Sequence, residues 1–188
     1  MSKKVSSNLC KVTFINDDPI LEGNCNEEAI QWAKQQKQDI PDLVQMSFSL
    51  DNFLNFEMKF KPISEDEIEK VIDAIEQQRL KYNTFIDSFQ KVKPTPSWSY
   101  LELSEKMASA QSFIDRSIKE IIQKIDDPET HSITDVIEFI TLAKEDLESV
   151  PELIGKTELQ ATVRYIEPIP GIEELRELMR KSKQKVSK

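Results

Sequence analysis

The sequence contains few of the residues on which several common functional sites depend. There are three glycines, two cysteines and one histidine among its 188 residues. Loops that cradle phosphates need glycine, because close backbone approach and positive φ angles exclude most side chains. This scarcity argues against P-loop and dinucleotide-binding functions. The chain also has no run of about 18 apolar residues, so we expect no membrane-spanning helix.

The charge of the chain bears on the kind of partner it can bind. The formal net charge is −9, with 34 acidic against 25 basic side chains. Affinity for nucleic acid comes mainly from Lys and Arg side chains that neutralise phosphates. The composition therefore argues against a nucleic-acid partner and favours a basic protein partner. Positive charge is concentrated after Leu175, in Arg176, Arg180 and the lysines of the tail.

The two cysteines, Cys10 and Cys25, can form at most one disulfide. No long apolar segment of the secretory type follows the N-terminal residues. We therefore expect free thiols in a reducing compartment, and a cytoplasmic protein.

The first half of the chain predicts a small sheet with one helix. Lys11–Ile15 is typical of a strand, ended by a turn at residues 16–19, and a helix is expected from an Asn26 N-cap to about Lys37. Val44–Leu50 and Phe53–Phe60 alternate apolar and polar side chains, which predicts a β-hairpin with a turn at Asp51-Asn52.

Two long helices follow, each opened by a capping-box pattern. Ser64 and Glu67 begin a helix over Ser64–Val92, and Ser99 and Glu102 begin another over Ser99–Ile125. The Pro-Thr-Pro segment between them breaks the first helix. A short connection between two amphipathic helices predicts an antiparallel hairpin.

The apolar stripe of the first long helix is interrupted at Arg79. The spacing of Ile68, Ile72 and Ile75 predicts an apolar residue at that position. A buried Arg79 would need a carboxylate partner. We favour the alternative, in which the stripe continues at Leu80 and the Arg79 side chain extends towards solvent.

The remaining segments complete an α+β prediction. A third helix is expected from near Thr134, a strand over Glu158–Ile166, and a last helix after Pro170. The predicted fold is mainly helical, with the helix hairpin and third helix packed beside a small antiparallel sheet. We expect a disordered leader at 1–8, one domain at 9–180 and a basic tail at 181–188.

One loop holds the densest set of metal-ligand residue types. Asp126, Asp127, Glu129 and His131 lie within six positions and contain the only imidazole of the chain. Carboxylates with an imidazole can hold a divalent ion. The alternative is a solvated loop that ends a helix, and we favour it because consecutive loop residues seldom converge.

Two further chemical sites can be proposed from the sequence. Asn16, Asp17 and Asp18 with Glu22 are a possible Mg²⁺ site, with an ordinary turn as the alternative. Cys25 precedes a helix N-terminus, where the helix dipole lowers a thiol pKa. The alternative is that Cys25 is a small apolar residue packed against the helix.

Aromatic residues at the tip of the helix hairpin are the candidates for partner binding. Trp98 and Tyr100 follow the Pro-Thr-Pro break. An exposed aromatic residue there is a natural anchor for a protein partner. In the other interpretation, which we favour, Trp98 folds back and closes the end of the helix bundle.

The C-terminal segment has an acidic run followed by a basic tail. Glu173-Glu174-Leu175-Arg176-Glu177 with the polar, lysine-rich end resembles the C-terminal translocation signals of type IV secretion effectors from intracellular bacteria. This resemblance covers about the last sixteen residues and implies translocation into a host cell. In the structural alternative, the acidic start and the basic end of this segment complement the helix dipole.

No catalytic set is recognisable, and no cofactor is expected. The favoured hypothesis is a non-enzymatic protein-interaction protein, of adaptor or effector type, that binds through the helix hairpin or the sheet edge. An acidic immunity or antitoxin-type inhibitor of a basic toxin is one alternative. A carboxylate-dependent enzyme is the other, and the oligomeric state stays open.

Overall fold

The computed structural model describes residues 9–49, 52–92 and 97–157, with the backbone alone at 52–56. Their elements, in chain order, are β1 Leu9–Ile15, β2 Asp18–Gly23, α1 Glu27–Asp39, β3 Leu43–Ser49, β4 Asn52–Phe60, α2 Glu65–Gln90, α3 Trp98–Asp126 and α4 Thr134–Lys156. This confirms the predicted α+β, mainly helical class. Several predictions lie outside the described residues: the leader, the strand at 158–166, the last helix and the tail.

The chain divides into two compact units. Of the described residues, 9–49, 52–63 and 127–134 form the sheet unit, and 64–92, 97–126 and 135–157 form the helical unit. The prediction of one domain over 9–180 stays a prediction.

The sheet unit is built on four antiparallel strands in the order β2-β1-β3-β4. Alternate residues of β1, and of β3 from Met46 onwards, point to one face, which α1 covers. Trp32 of α1 meets the ring of Phe48 edge to face, with 5.3 Å between centroids. Asn26 caps α1 as predicted, accepting a hydrogen bond from the Ala29 amide at 2.8 Å. The buried core comprises Cys10, Val12, Phe14, Ala29, Ala33, Leu43, Met46, Phe48 and Phe60.

Strand β2 was not predicted from the sequence. Residues 16–19 are typical of a turn that ends a strand, but the turn occupies only Asn16 and Asp17, whose φ angles are 49° and 67°. A two-residue turn with both φ angles positive matches the twist of a hairpin. The chain therefore returns along β1 from Asp18, with Pro19 opposite Phe14.

Gly23 ends β2 in a conformation that favours glycine. Its φ is +87°, and a Cβ there would collide with the carbonyl oxygen of Leu9. We expect Gly23→Ala to lower the free energy of unfolding by about 1–3 kcal/mol, through backbone strain and this collision. Thermal or urea unfolding measures it.

Gly155 provides the matched control for Gly23. It lies in α4, and a Cβ added there meets nothing within 4 Å. Gly155→Ala should raise the free energy of unfolding by up to about 1 kcal/mol, because alanine favours the helix. Equal effects of the two substitutions would contradict the role given to Gly23.

The helical unit confirms the antiparallel hairpin. Tyr82 of α2 donates to the side-chain oxygen of Gln111 of α3 at 3.2 Å. Near the connection, the rings of Phe89 and Tyr100 stack with 6.4 Å between centroids. The contacts pair later residues of α2 with earlier residues of α3, so the two helices run in opposite directions.

The two predicted capping boxes have different outcomes. Ser64 and Glu67 form theirs as predicted, with the Ser64 amide 3.0 Å from the Glu67 carboxylate. The second helix begins at Trp98 instead of Ser99, because Ser97 caps it. The Ser97 hydroxyl accepts from the Tyr100 amide at 3.3 Å. The Ser99–Glu102 box is therefore wrong by two positions.

The apolar stripe of α2 shifts in the direction opposite to the prediction. Gln78 is buried between Ile75 and Tyr82, whereas Leu80 is 53% exposed. Gln78 keeps the three- and four-residue spacing of the buried face. Arg79 is half-buried and pairs with Glu76, with Nε 2.6 Å from a carboxylate oxygen. The predictions that the stripe continues at Leu80 and that Arg79 extends towards solvent are therefore both wrong.

Candidate functional site

The structure separates the two aromatic residues predicted to bind a partner. Trp98, the first residue of α3, is 85% exposed. Leu101, one turn further along α3, is 48% exposed. Tyr100 is half-buried and stacks on Phe89 of α2. Tyr100 thus fixes the start of α3 to α2, and Trp98 projects into solvent instead of closing the bundle.

Helical geometry explains why Trp98 faces outwards. Leu103 and Met107 are buried and define the inner face of α3. With 3.6 residues per turn, Trp98 lies on the opposite side, together with Leu101, Glu102 and Glu105. All four are exposed, and we call them the Trp98 surface. This surface is apolar at its centre and acidic beside it.

An ion pair next to the Trp98 surface joins α3 to α4. The Lys106 ammonium donates to a carboxylate oxygen of Asp146 at 2.7 Å, and Asp146 is buried. The hydrogen bond to Asp146 raises the pKa of Lys106 above its usual value, and the charge of Glu102 adds to this. The pair links α3 to α4 by a hydrogen-bonded salt bridge.

Tyr82 is a buried polar residue in the same unit. It is 1% exposed, and burial raises its pKa, with a further contribution from the charge of Asp115. Its hydroxyl bonds to Gln111, which satisfies a group that would otherwise be costly to bury. Tyr82 therefore serves the packing of α2 on α3.

The carboxylate loop after α3 does not converge on a metal site. Glu129 pairs with Lys59 at 3.7 Å, and the backbone oxygen of Asp127 accepts from Thr130. Asp126 and Asp127 are exposed, and His131 is half-buried. Among residues 9–49, 52–92 and 97–157, no group of three or more His, Cys, Asp or Glu side chains could hold a metal ion.

The same loop is held by a residue that the sequence did not reveal. The Asp42 carboxylate accepts from the Ser132 hydroxyl at 2.7 Å, the Ile133 amide at 2.8 Å and the Thr134 hydroxyl at 2.8 Å. We call this arrangement the Asp42 clasp. It satisfies polar groups where α4 begins. Ser132 and Thr134 are typical of a helix start, but nothing local indicates a partner 90 residues away.

The residues of the proposed Mg²⁺ site are also apart. Asp17 pairs with Lys37 at 3.4 Å, and Glu22 pairs with Lys11 at 3.3 Å. Glu22 lies four residues beyond Asp18 on an extended strand, so their Cα atoms are about 13 Å apart. These carboxylates balance lysines at the two ends of β2.

A concave surface lies beside the turn between β1 and β2. Its volume is about 600 Å³, and its lining comprises Phe14, Asp17, Asp18, Pro19, Lys34, Lys37, Gln38 and Pro41. Lys37 uses its ammonium internally, because it donates to the carbonyl oxygens of Pro41 and Leu43 at 2.7 and 2.9 Å. Lys37 therefore holds the end of α1 against the start of β3.

Cys10 and Cys25 form a disulfide, which corrects the prediction of free thiols. The β1–β2 hairpin brings Cys25 back beside Cys10, with 4.8 Å between Cα atoms. A disulfide sulfur is not a nucleophile, so the hypothesis of a reactive Cys25 thiol is wrong. Disulfides persist mainly in oxidising compartments. The expectation of a cytoplasmic location was based on free thiols, so the disulfide removes that argument.

Comparison with known proteins gives no family for this chain. No protein-family model matches it, and neither the curated proteins nor the solved structures give a match. None of the helices within residues 9–49, 52–92 and 97–157 has the length and apolar composition that a membrane span requires. The C-terminal run that resembles translocation signals lies outside the described residues.

Proposed function

We propose that the protein binds a protein partner through the Trp98 surface and has no catalytic role. The observation that carries this proposal is the 85% exposure of Trp98. Exposure of the apolar indole surface to water is unfavourable. Covering that surface contributes a binding free energy of about 25 cal/mol per Å² of apolar area. Tryptophan is also among the residues that contribute most to binding at protein interfaces.

The anchoring of α3 supports this use of Trp98. Ser97 caps the helix, and the stacked rings of Tyr100 and Phe89 hold its first turn. An anchor on a fixed helix loses little conformational freedom when it binds, so less of the binding free energy is lost to ordering.

The charges beside Trp98 favour a basic partner. Glu102 and Glu105 flank the indole, and the whole chain carries a net charge of −9. Acidic groups at the rim accelerate the approach of a basic protein and disfavour acidic ones. The same charges favour the second candidate function, inhibition of a basic protein such as a toxin. An effector role stays a prediction based on the C-terminal resemblance.

We expect Trp98→Ala to weaken partner binding about 30-fold, a loss of about 2 kcal/mol. A partner is first captured with the tagged full chain and identified. Its affinity for the wild type and the variant is then measured by titration calorimetry with purified proteins. Because Trp98 is exposed, the fold should be unchanged by circular dichroism.

Leu80→Ala is the matched control for this experiment. Leu80 is also a large apolar residue on a helix of the same unit, and it is 53% exposed. Its removal should leave the affinity within about twofold of the wild type, since it lies outside the Trp98 surface. Wild-type affinity in Trp98→Ala, or equal losses in both variants, would reject the Trp98 surface as the contact.

A further inference from the structure

Strand β2 is an edge strand of the sheet unit. Within the described residues it pairs with β1 alone, and five of its six residues are exposed. An edge strand presents backbone N–H and C=O groups that can pair with another chain. The register of β2 decides which of its groups are available.

The turn sets which residues of β2 bond to β1. A two-residue turn makes the flanking residues Ile15 and Asp18 a hydrogen-bonded pair. Bonded and non-bonded pairs then alternate along an antiparallel ladder. Ile20 and Glu22 therefore direct their backbone groups towards β1.

The alternate residues Pro19, Leu21 and Gly23 direct their backbone groups away from the sheet. Pro19 presents a carbonyl oxygen alone, whereas Leu21 presents both an N–H and a C=O. The Gly23 carbonyl is already used, because it accepts from the Cys25 amide at 3.2 Å. Leu21 is therefore the central pairing position of this edge.

The side chains of β2 also suit an added strand. Ile20 and Leu21 are 48% and 39% exposed and lie on opposite faces of the sheet. Natural edges are commonly protected by lysine, proline or a bulge. Pro19 protects the start of β2, but Leu21 has no such protection and offers apolar contact.

The charge around β2 indicates the composition of the added strand. Residues 16–28 include five acidic side chains and no lysine or arginine. Two of the five, Asp17 and Glu22, already pair with Lys37 and Lys11. The segment therefore keeps an excess of three negative charges. Asp18 and Glu22 lie at the two ends of β2 itself. A second copy of this chain would bring like charges together, whereas a basic strand would meet complementary charge.

We propose that the β2 edge binds an extended, basic segment of another protein as an additional strand. Its central residue exchanges both backbone hydrogen bonds with Leu21, and a further amide of the segment donates to the Pro19 carbonyl. Its apolar side chains cover Ile20 and Leu21. One of its lysines or arginines approaches Asp18, and another shares the Glu22 carboxylate with Lys11. This edge lies in the sheet unit, so the proposal does not depend on the Trp98 surface.

Amide hydrogen exchange of the full chain, measured by NMR, tests the proposal. In the free chain the Leu21 amide should exchange at least tenfold faster than those of Ile20 and Glu22, which bond to β1. The probe is a synthetic heptapeptide of alternating valine and threonine with lysine at both ends. It should slow Leu21 exchange at least tenfold, and the same peptide with glutamate ends should have little effect.

Two variants at Leu21 test the backbone hydrogen bond and the charge preference separately. Leu21→Pro removes the outward N–H at a position equivalent to Pro19, and it should weaken lysine-peptide binding at least tenfold. Leu21→Lys keeps the N–H but adds positive charge, and it should reduce the preference for the lysine peptide. Trp98→Ala should bind the peptide as the wild type does.

Three results would overturn the proposal. The first is slow Leu21 exchange in the free chain, which means that the edge is already covered. If ultracentrifugation then shows a dimer, the occupant is a second copy; a monomer means another part of the same chain. The second is equal binding of the lysine and glutamate peptides, and the third is unchanged peptide affinity in folded Leu21→Pro.

Discussion

Asp42→Ala is expected to lower the free energy of unfolding of the sheet unit by about 3–4 kcal/mol. The Asp42 carboxylate accepts three hydrogen bonds, from the Ser132 and Thr134 hydroxyls and the Ile133 amide. Each hydrogen bond to a charged group contributes about 1.5–3 kcal/mol, and their losses are not fully additive. Ser132 is 7% exposed, so its hydroxyl would have little access to replacement water.

The measurement is urea unfolding followed by the fluorescence of Trp32, which packs on Phe48 inside the sheet unit. A Trp98→Phe background leaves Trp32 as the only indole of the chain. Asp127→Ala is the matched control, because it removes an exposed carboxylate from the same loop. It should change stability by no more than about 0.5 kcal/mol. Equal effects of the two variants would show that the clasp contributes nothing specific.

Reduction of the Cys10–Cys25 disulfide is expected to cost about 3 kcal/mol of stability. The bond closes a loop with a sequence separation of 15 residues, and a loop of that length restricts the unfolded chain by about this amount. Cys10 is completely buried, so the reduced thiol must also be accommodated in the core. We expect the sheet unit to unfold at a lower urea concentration after reduction.

The control for reduction is a chain without cysteine. In the Cys10→Ser, Cys25→Ser double variant a reductant should have no effect, because the protein has two cysteines in all. Its stability should lie close to or below that of the reduced wild type. A wild type equally stable with and without reductant would contradict the stabilising role of the disulfide.

Local sequence patterns were sufficient for much of the fold. The N-caps at Asn26 and Ser64 and the alternation in β3 and β4 each depend on residues close in sequence. Their physical causes, capping of free amides and burial of one strand face, act over a few positions. The two caps, the strands β3 and β4, and the burial of Met46 and Phe48 on one face of β3 are confirmed.

Local patterns were misleading where two of them overlapped. Ser97 and Ser99 can both cap a helix. Glu102 completes a capping-box pattern with Ser99, so the sequence favoured Ser99. The residue that caps α3 is Ser97. On the buried face of α3, Ser117 and Lys124 occupy positions that an apolar stripe cannot predict. Residues 16–19 are likewise typical of a turn that ends a strand, so the pattern did not predict that the chain returns as β2.

The remaining features depend on contacts between distant residues. The Asp42 clasp joins positions about 90 residues apart. The disulfide depends on a hairpin whose second strand had not been predicted. The exposure of Trp98 follows from the side of α3 that packs inside the helical unit. From the sequence, both orientations of that indole were possible.

The most direct test of the proposed function is acrylamide quenching of Trp98 fluorescence, with and without the captured partner. A Trp32→Phe variant leaves Trp98 as the only indole. With 85% of Trp98 exposed, we predict efficient quenching in the free chain. The partner should reduce the quenching constant severalfold, because it covers the indole. A quenching constant that the partner leaves unchanged would contradict the Trp98 surface as the binding site.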